Sequence, residues 1–476
     1  MRKIEPLDFS VIDSLPMPDE AAVDRRLDAA FYNFNKKIVV LDDDPTGTQT
    51  VYGVSVYTDW SVQTLADGFA EEGSMFFILT NSRSFSTEHT AAIHREIAEN
   101  LAAAASRCGK DFLLISRGDS TLRGHFPLET DTLRRTLEDI LGVRFDGEIL
   151  CPFFKEGGRY TLNNIHYVKE NQQLIPAGMT EFARDKSFGY TASHLGLFVE
   201  EKSHGSYKSN DCIYITLEEL RNCRYESITR KLLNASGFAK LIVNAADYID
   251  LKVFMICWLQ AMRSGKHYIA RSAASLTRVA GKPSGNRLLT GQELIAPGCT
   301  AGGLVMIGSH VRKTTEQLNA LMQSKKNLCF LEFQAGCCEA GALSAEAQRL
   351  LLLAQERLTK KQTVVIYTPR RLIIPDSCDR DKILKLSVDI SDAFTKIVAG
   401  LSLQPSFILA KGGITSSDIA TKGLSVKKAT VMGQIRKGIP VWMTGAESKF
   451  PHMPYIIFPG NVGDALTLRE IVDSLL

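Results

Sequence analysis

Three consecutive carboxylates, Asp42, Asp43 and Asp44, follow an apolar run in the stretch KIVVLDDDPTGTQT. The run predicts a buried strand that ends at the next Pro and Gly. Adjacent carboxylates repel one another unless a cation, hydrogen-bond donors or a shared proton offsets their charge. Ligands of open α/β sheets bind at the carboxyl ends of strands. The stretch therefore predicts a chemical site, and the structural alternative is a solvated turn that caps the next element.

Polar clusters follow two further apolar runs. Arg83 comes shortly after MFFILT, and the segment RGDSTLRGH, which contains Asp119, Ser120 and Arg123, comes after FLLIS. Arginine clamps a planar carboxylate through two parallel hydrogen bonds, so these residues beside the acidic stretch suit a small polyhydroxylated acid. The alternative is that Arg123 pairs with Asp119 and only ties a loop to a helix start.

A third cluster follows the run EILCP. The segment FFKEGGRY ends near Arg159, and His166 lies in NNIHYV shortly after it. The two glycines allow the backbone to approach a ligand closely. His166 is a candidate ligand contact, with a packed core histidine as the alternative.

The second half of the chain contains a candidate phosphate cradle. In FILAKGGITSSDIATKGL, a predicted strand ends at Lys411, and Gly412, Gly413 and Thr415 lead into a predicted helix. Free backbone N–H groups and the positive end of a helix attract an anion. The alternative is an ordinary Gly-rich turn with a Ser or Thr cap.

Two more segments carry small residues after predicted strands. Ser309 ends LVMIGS, and FPGNVGDA places Gly460, Asn461 and Gly463 after the last strand. Such glycines leave room for a flat base and its phosphates. The motifs G-x-x-x-x-G-K-[ST] and G-x-G-x-x-G are both absent from the sequence, which argues against a classical P-loop or dinucleotide fold.

The elements that must position these residues alternate between short apolar runs and helical patterns. This alternation predicts an α/β fold with two domains, each a mostly parallel sheet flanked by helices, and an active-site cleft between them. A segment rich in Gly, Pro, Ser and Thr indicates the linker. The predicted organisation is an N-terminal arm or helix over 1–35, a first domain over 36–285, a linker over 286–301 and a second domain over 302–476.

Composition excludes several classes of protein. The 476 residues include 56 Lys and Arg against 53 Asp and Glu, so the net charge of +3 indicates neither nucleic acid nor a membrane surface as partner. The ten cysteines form no C-x-x-C pair and are typical of a reducing cytosol. We find no signal-peptide core and no apolar run of membrane-spanning length, and we expect a cytoplasmic protein. The oligomeric state is not indicated.

Taken together, these segments resemble the four-carbon acid sugar kinase family, whose members phosphorylate small sugar acids with ATP. The resemblance covers roughly residues 36–470. In the first half it is carried by 43–47, by the D-S-T-L-R-G motif at 119–124, by 152–159 and by 166–168. In the second half it is carried by 308–310, 412–416 and 459–463. Pro45 stands where the family often has Phe, which leaves the particular acid open.

The resemblance implies a first domain that binds the sugar acid and a second that binds ATP with Mg²⁺. The implied substrates are threonate, erythronate, 3-oxo-tetronate or a related 3-oxo acid such as 3-oxo-isoapionate. Asp43 or Asp44 would accept the proton of the attacking hydroxyl. The predicted substrate-binding residues are Arg83, Asp119, Ser120, Arg123, Arg159 and His166, with Arg83 and Arg123 on the carboxylate. The predicted nucleotide-binding residues are Ser309, Gly412, Gly413, Ile414, Thr415, Gly460, Asn461 and Gly463. Metal ligands are not assigned.

Two other functions remain as alternatives. Asp42 and Asp44 also spell the D-x-D-P-T of a haloacid-dehalogenase-like phosphatase, with Asp42 as nucleophile and Asp44 as acid and base. The Lys and paired carboxylates that such an enzyme needs at later strand ends are not convincing in this sequence. A non-catalytic sugar-acid-binding protein would use the acidic stretch for contact only, and would leave the phosphate-friendly domain without a task.

Overall fold

The computed structural model describes residues 4–32, 34–282, 288–296, 298–334, 340–370, 380–460 and 462–476. The chain divides into two compact units. Unit 1 comprises Met1–Thr50 and Asp59–Ser284, and unit 2 comprises Val51–Thr58 and Gly285–Leu476. The division after Ser284 falls beside the predicted linker, and residues 51–58 lie in unit 2 although the predicted first domain contains them.

The strands are bounded as follows. They are β1 (Leu7–Asp8), β2 (Lys37–Asp42), β3 (Ser55–Tyr57), β4 (Met75–Leu79), β5 (Phe112–Arg117), β6 (Gly147–Cys151), β7 (Arg159–Leu162), β8 (Ile165–Glu170), β9 (Gln173–Pro176), β10 (Ile213–Ile215), β11 (Ala239–Val243), β12 (Tyr268–Ser272), β13 (Leu304–Ile307), β14 (Leu328–Glu332), β15 (Thr363–Tyr367), β16 (Ile408–Lys411), β17 (Lys428–Arg436), β18 (Ile439–Thr444) and β19 (Pro454–Phe458).

The α-helices lie mostly between these strands. They are α1 (Glu20–Tyr32), α2 (Val62–Ala70), α3 (Thr87–Cys108), α4 (Leu128–Leu141), α5 (Leu195–Lys202), α6 (Leu217–Arg221), α7 (Tyr225–Asn234), α8 (Tyr248–Arg263), α9 (Ala274–Gly281), α10 (Arg312–Met322), α11 (Ala340–Thr359), α12 (Arg380–Gly400), α13 (Gly413–Asp418) and α14 (Thr467–Ser474).

The main sheet of unit 1 has the strand order β10-β11-β6-β12-β5-β2-β4, and all of these neighbours are parallel. Every residue of β2 and β4 is buried, which is expected where helices cover both faces of a parallel sheet. On one side α3 packs against α2 and α4, and α8 forms a second group with α1, α7 and α9. Parallel strands of this kind direct all their carboxyl ends to one edge, where the site is found.

A second, antiparallel sheet in unit 1 has the order β1-β9-β8-β7. It comes from residues around 159–176, which were not predicted as strands. The sequences RYTL and IHYVKE mix polar and apolar side chains, and only one face of such short strands needs to be buried. Arg159 and His166 therefore lie on strands β7 and β8.

The sheet of unit 2 has the order β3-β17-β18-β19-β16-β13-β15-β14. Neighbours from β19 onward are parallel, whereas β3, β17, β18 and β19 pair in antiparallel fashion. Its core joins β13, β15, β16, β18 and β19 with α10 and α14 through buried residues such as Ile307, Leu318, Leu409, Ile456 and Leu468.

The predicted fold class is confirmed, because each unit contains helices around a sheet and parallel pairs predominate in the chain. The cleft remains a prediction. Across the described residues, we find no helix with the length and apolar character needed to cross a membrane.

Candidate active site

The carboxyl ends of four neighbouring strands bring the predicted acidic and basic residues of unit 1 together. Asp42 ends β2, and its neighbours in register are Leu79 on β4 and Arg117 on β5. Arg117 is in turn in register with Ser272 on β12. The segments that follow these strands meet at one edge of the sheet and form a cluster of ion pairs. The cluster contains the carboxylates Asp42, Asp43, Asp44, Asp119 and Glu129 and the guanidinium groups Arg83, Arg117, Arg123 and Arg271.

Asp42 is buried beneath the turn that follows it. Its Oδ1 lies 3.2 Å from Nη1 of Arg117. Gly47 packs directly over the carboxylate, since a Cβ added there would lie 1.8 Å from Asp42 Oδ2. Burial raises the pKa of Asp42 to about 7, although Arg117 opposes the shift. Oδ2 of Asp42 is buried without a hydrogen-bond partner, as is Oδ2 of Asp43, but only the Asp42 oxygen has Gly47 directly over it. A nucleophile must reach its substrate, so this covering turn argues against Asp42 as the nucleophile of a phosphatase.

Replacing Gly47 by Ala should destabilise unit 1, because the added methyl group would collide with the Asp42 carboxylate. We expect a loss of roughly 1–3 kcal/mol in the free energy of unfolding, the usual cost of overpacking. Denaturant titration followed by fluorescence measures it. The matched control is Gly73→Ala, where the nearest atom to the new Cβ lies 3.8 Å away. Equal stability of the two variants would contradict the packing of Gly47 on Asp42.

Asp43 is held between two guanidinium groups. Its Oδ1 lies 3.3 Å from Arg83 Nη2 and 3.6 Å from Arg117 Nη1. The second oxygen, Oδ2, is buried without a hydrogen-bond partner. Burial raises the pKa of Asp43 to about 6, although Arg83, Arg117 and Arg271 oppose the shift. Asp43 therefore combines a free carboxylate oxygen with a pKa close to neutrality, as a general base requires.

Asp44 has a more structural environment than Asp43. It caps the 3-10 turn over Pro45–Thr48, and its Oδ1 accepts a 2.8 Å hydrogen bond from the backbone N–H of Thr46. Its Oδ2 lies 2.7 Å from Arg83 Nη2. Burial raises its pKa, but Arg83 and the hydrogen bonds from Thr46 outweigh burial, and the pKa is lowered. Asp44 stays ionised and both of its oxygens are engaged, so it is the weaker base.

Asp119 and Arg123 form an ion pair within one loop. Nε of Arg123 lies 2.7 Å from Asp119 Oδ2, and its Nη1 lies 3.7 Å from Asp185. Arg83 also reaches Asp119, at 3.6 Å. Burial raises the pKa of Asp119, but Arg123 and Arg83 lower it more strongly. The structural alternative considered for Arg123 is thus present in the molecule, and Arg83 is likewise occupied by carboxylates of the protein.

Arg159 differs from the other arginines of the candidate site in its ion-pair partners. Among the residues that the structure describes, no carboxylate lies within ion-pair distance of its guanidinium group, and its buried Nε has no hydrogen-bond partner. An Nη1 hydrogen bond to the carbonyl of Gly157 holds the side chain. Burial lowers the pKa of Arg159, although the nearby charge of Asp119 opposes this. Phe182 contacts two cations, with its ring centre 5.5 Å from Arg159 and 5.1 Å from Arg123.

His166 lies behind the loop that carries Ser120. Its Nε2 is 2.8 Å from the carbonyl oxygen of Ser120, and its Nδ1 is 3.0 Å from Thr161 Oγ1. The side chain is fully buried, and burial lowers its pKa to about 4. Both ring nitrogens are engaged within the protein, which favours the packed-histidine alternative, in which neutral His166 holds the Ser120 backbone. The substrate contact stays a prediction.

Sequence reasoning missed two buried members of the cluster, Arg271 and Glu129. Arg271 lies inside the apolar strand β12, and Glu129 lies in the first turn of α4. The two form an ion pair, in which Arg271 Nη1 lies 2.5 Å from Glu129 Oε2. The only signal in the sequence is an arginine within a buried run, because charged residues are rarely buried unless they are paired.

Several predicted nucleotide-binding residues of unit 2 lie close together. A Cβ added at Gly308 would lie 2.1 Å from Thr415 Oγ1, and one added at Gly460 would lie 2.7 Å from Ser309 Oγ. Gly412 has φ +122°, and a Cβ there would lie 3.2 Å from the Ser309 side chain. The ends of β13, β16 and β19 therefore form one small-residue pocket floor, in which backbone N–H groups can approach an anion.

The other predicted nucleotide-binding residues lie in different surroundings. Gly413 and Ile414 begin α13, where Ile414 is exposed. Gly463 turns toward α14, since a Cβ there would lie 2.7 Å from Thr467 Oγ1. Asn461 lies outside the described residues. Lys411 donates a 3.0 Å hydrogen bond to the carbonyl of Pro459, and burial lowers its pKa to about 7.

Two family models match the two halves of the chain separately. A model described as a sugar-binding N-terminal domain matches residues 38–280, and one described as a nucleotide-binding C-terminal domain matches residues 304–468. A search of curated proteins found no match.

Solved structures share the fold. The structure of a "putative tRNA synthase" from Salmonella typhimurium LT2 is similar at 16% identity with a TM-score of 0.64, and the match covers 91% of this chain and 98% of that chain. A Haemophilus influenzae protein of the DUF1537 family is similar at 16% identity with a TM-score of 0.59, covering 92% of this chain and 100% of that chain. At this identity the likeness shows the fold alone.

Proposed function

Since this chain belongs to the four-carbon acid sugar kinase family, we propose that it transfers the γ-phosphoryl group of ATP to a hydroxyl of a small sugar acid. Threonate, erythronate, 3-oxo-tetronate and 3-oxo acids such as 3-oxo-isoapionate are the candidate substrates. Unit 1 would bind the acid and unit 2 the nucleotide. The observation that carries the proposal is Asp43, a buried carboxylate with one unpartnered oxygen and a pKa near 6 at a strand end.

We assign the general base to Asp43. Its free Oδ2 would accept the proton of the substrate hydroxyl while Arg83 and Arg117 hold Oδ1. A carboxylate with a pKa of about 6 is ionised at neutral pH and is still basic enough to take a proton from a hydroxyl that is attacking phosphorus. Asp44 would keep Arg83 and the turn in place.

We assign the substrate carboxylate to Arg159 in place of the predicted Arg83. Arg83 is occupied by Asp43, Asp44 and Asp119, whereas Arg159 is a half-buried residue without a protein carboxylate in ion-pair distance among the described residues. A ligand carboxylate would supply the missing partner and could bind bidentately. Arg123, whose guanidinium group also lies near the Phe182 ring, would assist.

The nucleotide phosphates would lie against Ser309, Gly412 and Thr415, with support from Gly460. Among the residues described, no group of three or more His, Cys, Asp or Glu side chains is arranged to hold a metal ion. Mg²⁺ would enter as MgATP, as is usual for kinases, and would screen the charge of the phosphates.

Arg159→Lys should raise the KM for the sugar acid by about tenfold or more, because a lysine loses the fork that binds both carboxylate oxygens. The KM for MgATP should stay the same. Initial rates at varied acid and varied MgATP measure both constants. Arg144→Lys is the control, because Arg144 pairs with Glu138 and its side chain is 81% exposed. A similar rise in both KM values would assign Arg159 a structural role.

A screen of sugar acids with γ-labelled ATP tests the function itself. We expect label on one acid with the wild-type protein and at least about a hundredfold slower labelling with Asp43→Asn. Release of phosphate from phosphorylated acids without any transfer from ATP would support the phosphatase alternative. Tight acid binding without transfer from any nucleoside triphosphate would support a binding protein.

A further inference from the structure

A buried ion pair beside the site has no role in the mechanism above. Arg271 and Glu129 are both nearly inaccessible, and Arg271 Nη1 lies 2.5 Å from Glu129 Oε2 and 2.9 Å from Ser116 Oγ. Glu129 Oε1 accepts a 2.6 Å hydrogen bond from Ser82 Oγ. These contacts fix one edge of the Arg271 guanidinium group to β5, α4 and the turn after β4.

The other edge of Arg271 faces the loop over residues 118–124 and Asp43. A Cβ added at Gly118 would lie 2.2 Å from Arg271 Nη2, so the guanidinium group fills the space where a side chain would otherwise be. A Cβ added at Gly124 would lie 2.9 Å from Arg271 Nη2 and 3.5 Å from Asp43 Oδ2. Arg271 thus lies on the side of Asp43 that carries the unpartnered oxygen.

We propose that Arg271 and Glu129 are a positioning pair for Asp43, in which Glu129 orients the guanidinium group and Arg271 supports the 118–124 loop and supplies positive charge beside Oδ2. This role rests on the proposed function, because it takes Asp43 as the base. The pair as a whole is neutral, so removing either partner changes the charge that Asp43 meets. Glu129 raises the pKa of Asp43 and Arg271 lowers it, so removing one charge or both has different expected effects.

Other charged groups face the same carboxylates, and these groups are the same in every variant of the test. Those around Asp43 are Asp42, Asp44, Arg83 and Arg117, and those around Glu129 are His94 and His125. Nε2 of His94 lies 3.8 Å from Glu129, and burial lowers the pKa of His94, so this ring is neutral at pH 7.

The test follows the ionisation of Asp43 directly in the full chain. Aspartate labelled with ¹³C at the carboxyl carbon gives a titration for Asp43, assigned by its loss in Asp43→Asn. In Glu129→Gln, unopposed Arg271 should lower the midpoint by ~0.5 pH unit or more. Adding Arg271→Met to Glu129→Gln removes both charges and should raise the midpoint above that of the single variant. The double variant also avoids an unpaired buried carboxylate, which would threaten folding.

The acid limb of kcat/KM against pH should move in the same directions as these midpoints. Circular dichroism confirms that each variant is folded. Identical Asp43 midpoints in the folded variants would overturn the positioning role even if the protein is an active kinase. If the midpoints shift but the protein phosphorylates no sugar acid, the effect of Arg271 and Glu129 on Asp43 is supported and the proposed function is contradicted.

Discussion

Replacing Asp43 by Asn should lower turnover at least about a hundredfold, the usual scale for a lost general base. An amide keeps the size of the side chain but cannot accept the hydroxyl proton. MgATP affinity, measured by calorimetry, should be nearly unchanged, because Asp43 lies in unit 1 and the candidate phosphate floor lies in unit 2. Initial rates at saturating substrates measure the loss.

The pH dependence of the wild-type protein provides a second reading of the same prediction. A base must be ionised, so kcat/KM should fall as pH drops through about 6, where Asp43 gains its proton. Asp44→Asn serves as the matched variant: it should lose less turnover and keep this acid limb, because Asp44 is a cap with a lowered pKa. A larger loss in Asp44→Asn than in Asp43→Asn would transfer the role of base to Asp44.

Replacing Gly412 by Val should abolish measurable binding of MgATP. The backbone of Gly412 has φ +122°, a conformation that L side chains rarely adopt, and an added Cβ would crowd Ser309 at 3.2 Å. The two methyl groups of valine would also fill the space above the candidate phosphate floor. Calorimetric titration of MgATP measures the effect.

The control for this variant is Gly298→Val, also in unit 2. Gly298 has φ +70°, and none of the described residues places an atom within 4 Å of an added Cβ, so the variant adds backbone strain without crowding. Both variants should still bind the sugar acid, because its candidate site lies in unit 1. Normal MgATP affinity in folded Gly412→Val would exclude this floor as the phosphate site.

Sequence patterns predicted the parallel strands of this protein well, for a physical reason. Strands such as β2 and β4 are buried on both faces, so they read as continuous apolar runs that stop at Pro, Gly or Asn. The short strands β7, β8 and β9 carry mixed side chains and need partners from the same local segment. The pairing of these strands depends on the turns between them, and the spacing of apolar residues does not predict those turns.

The site was predictable in its residue types and less so in its pairings. Three aspartates at the end of β2 indicate a site, but the sequence does not show that Gly47 covers Asp42 and leaves Asp43 uncovered by that turn. Arg83 and Arg159 look equivalent as arginines. Only the distances to Asp43, Asp44 and Asp119 show that Arg83 is occupied, because these partners come from segments far apart in the chain.

The short strand β3 has a consequence for how the protein is made. It belongs to unit 2 and pairs with β17, although it is synthesised before most of unit 1. On the ribosome, this strand must wait until Lys428 has emerged before its antiparallel ladder can form. A fragment that stops at Ser284 would leave the β17-facing edge of β3 unpaired, and such edges promote aggregation. Expression of unit 1 by itself should therefore give insoluble protein unless residues 51–58 are replaced by a short polar loop.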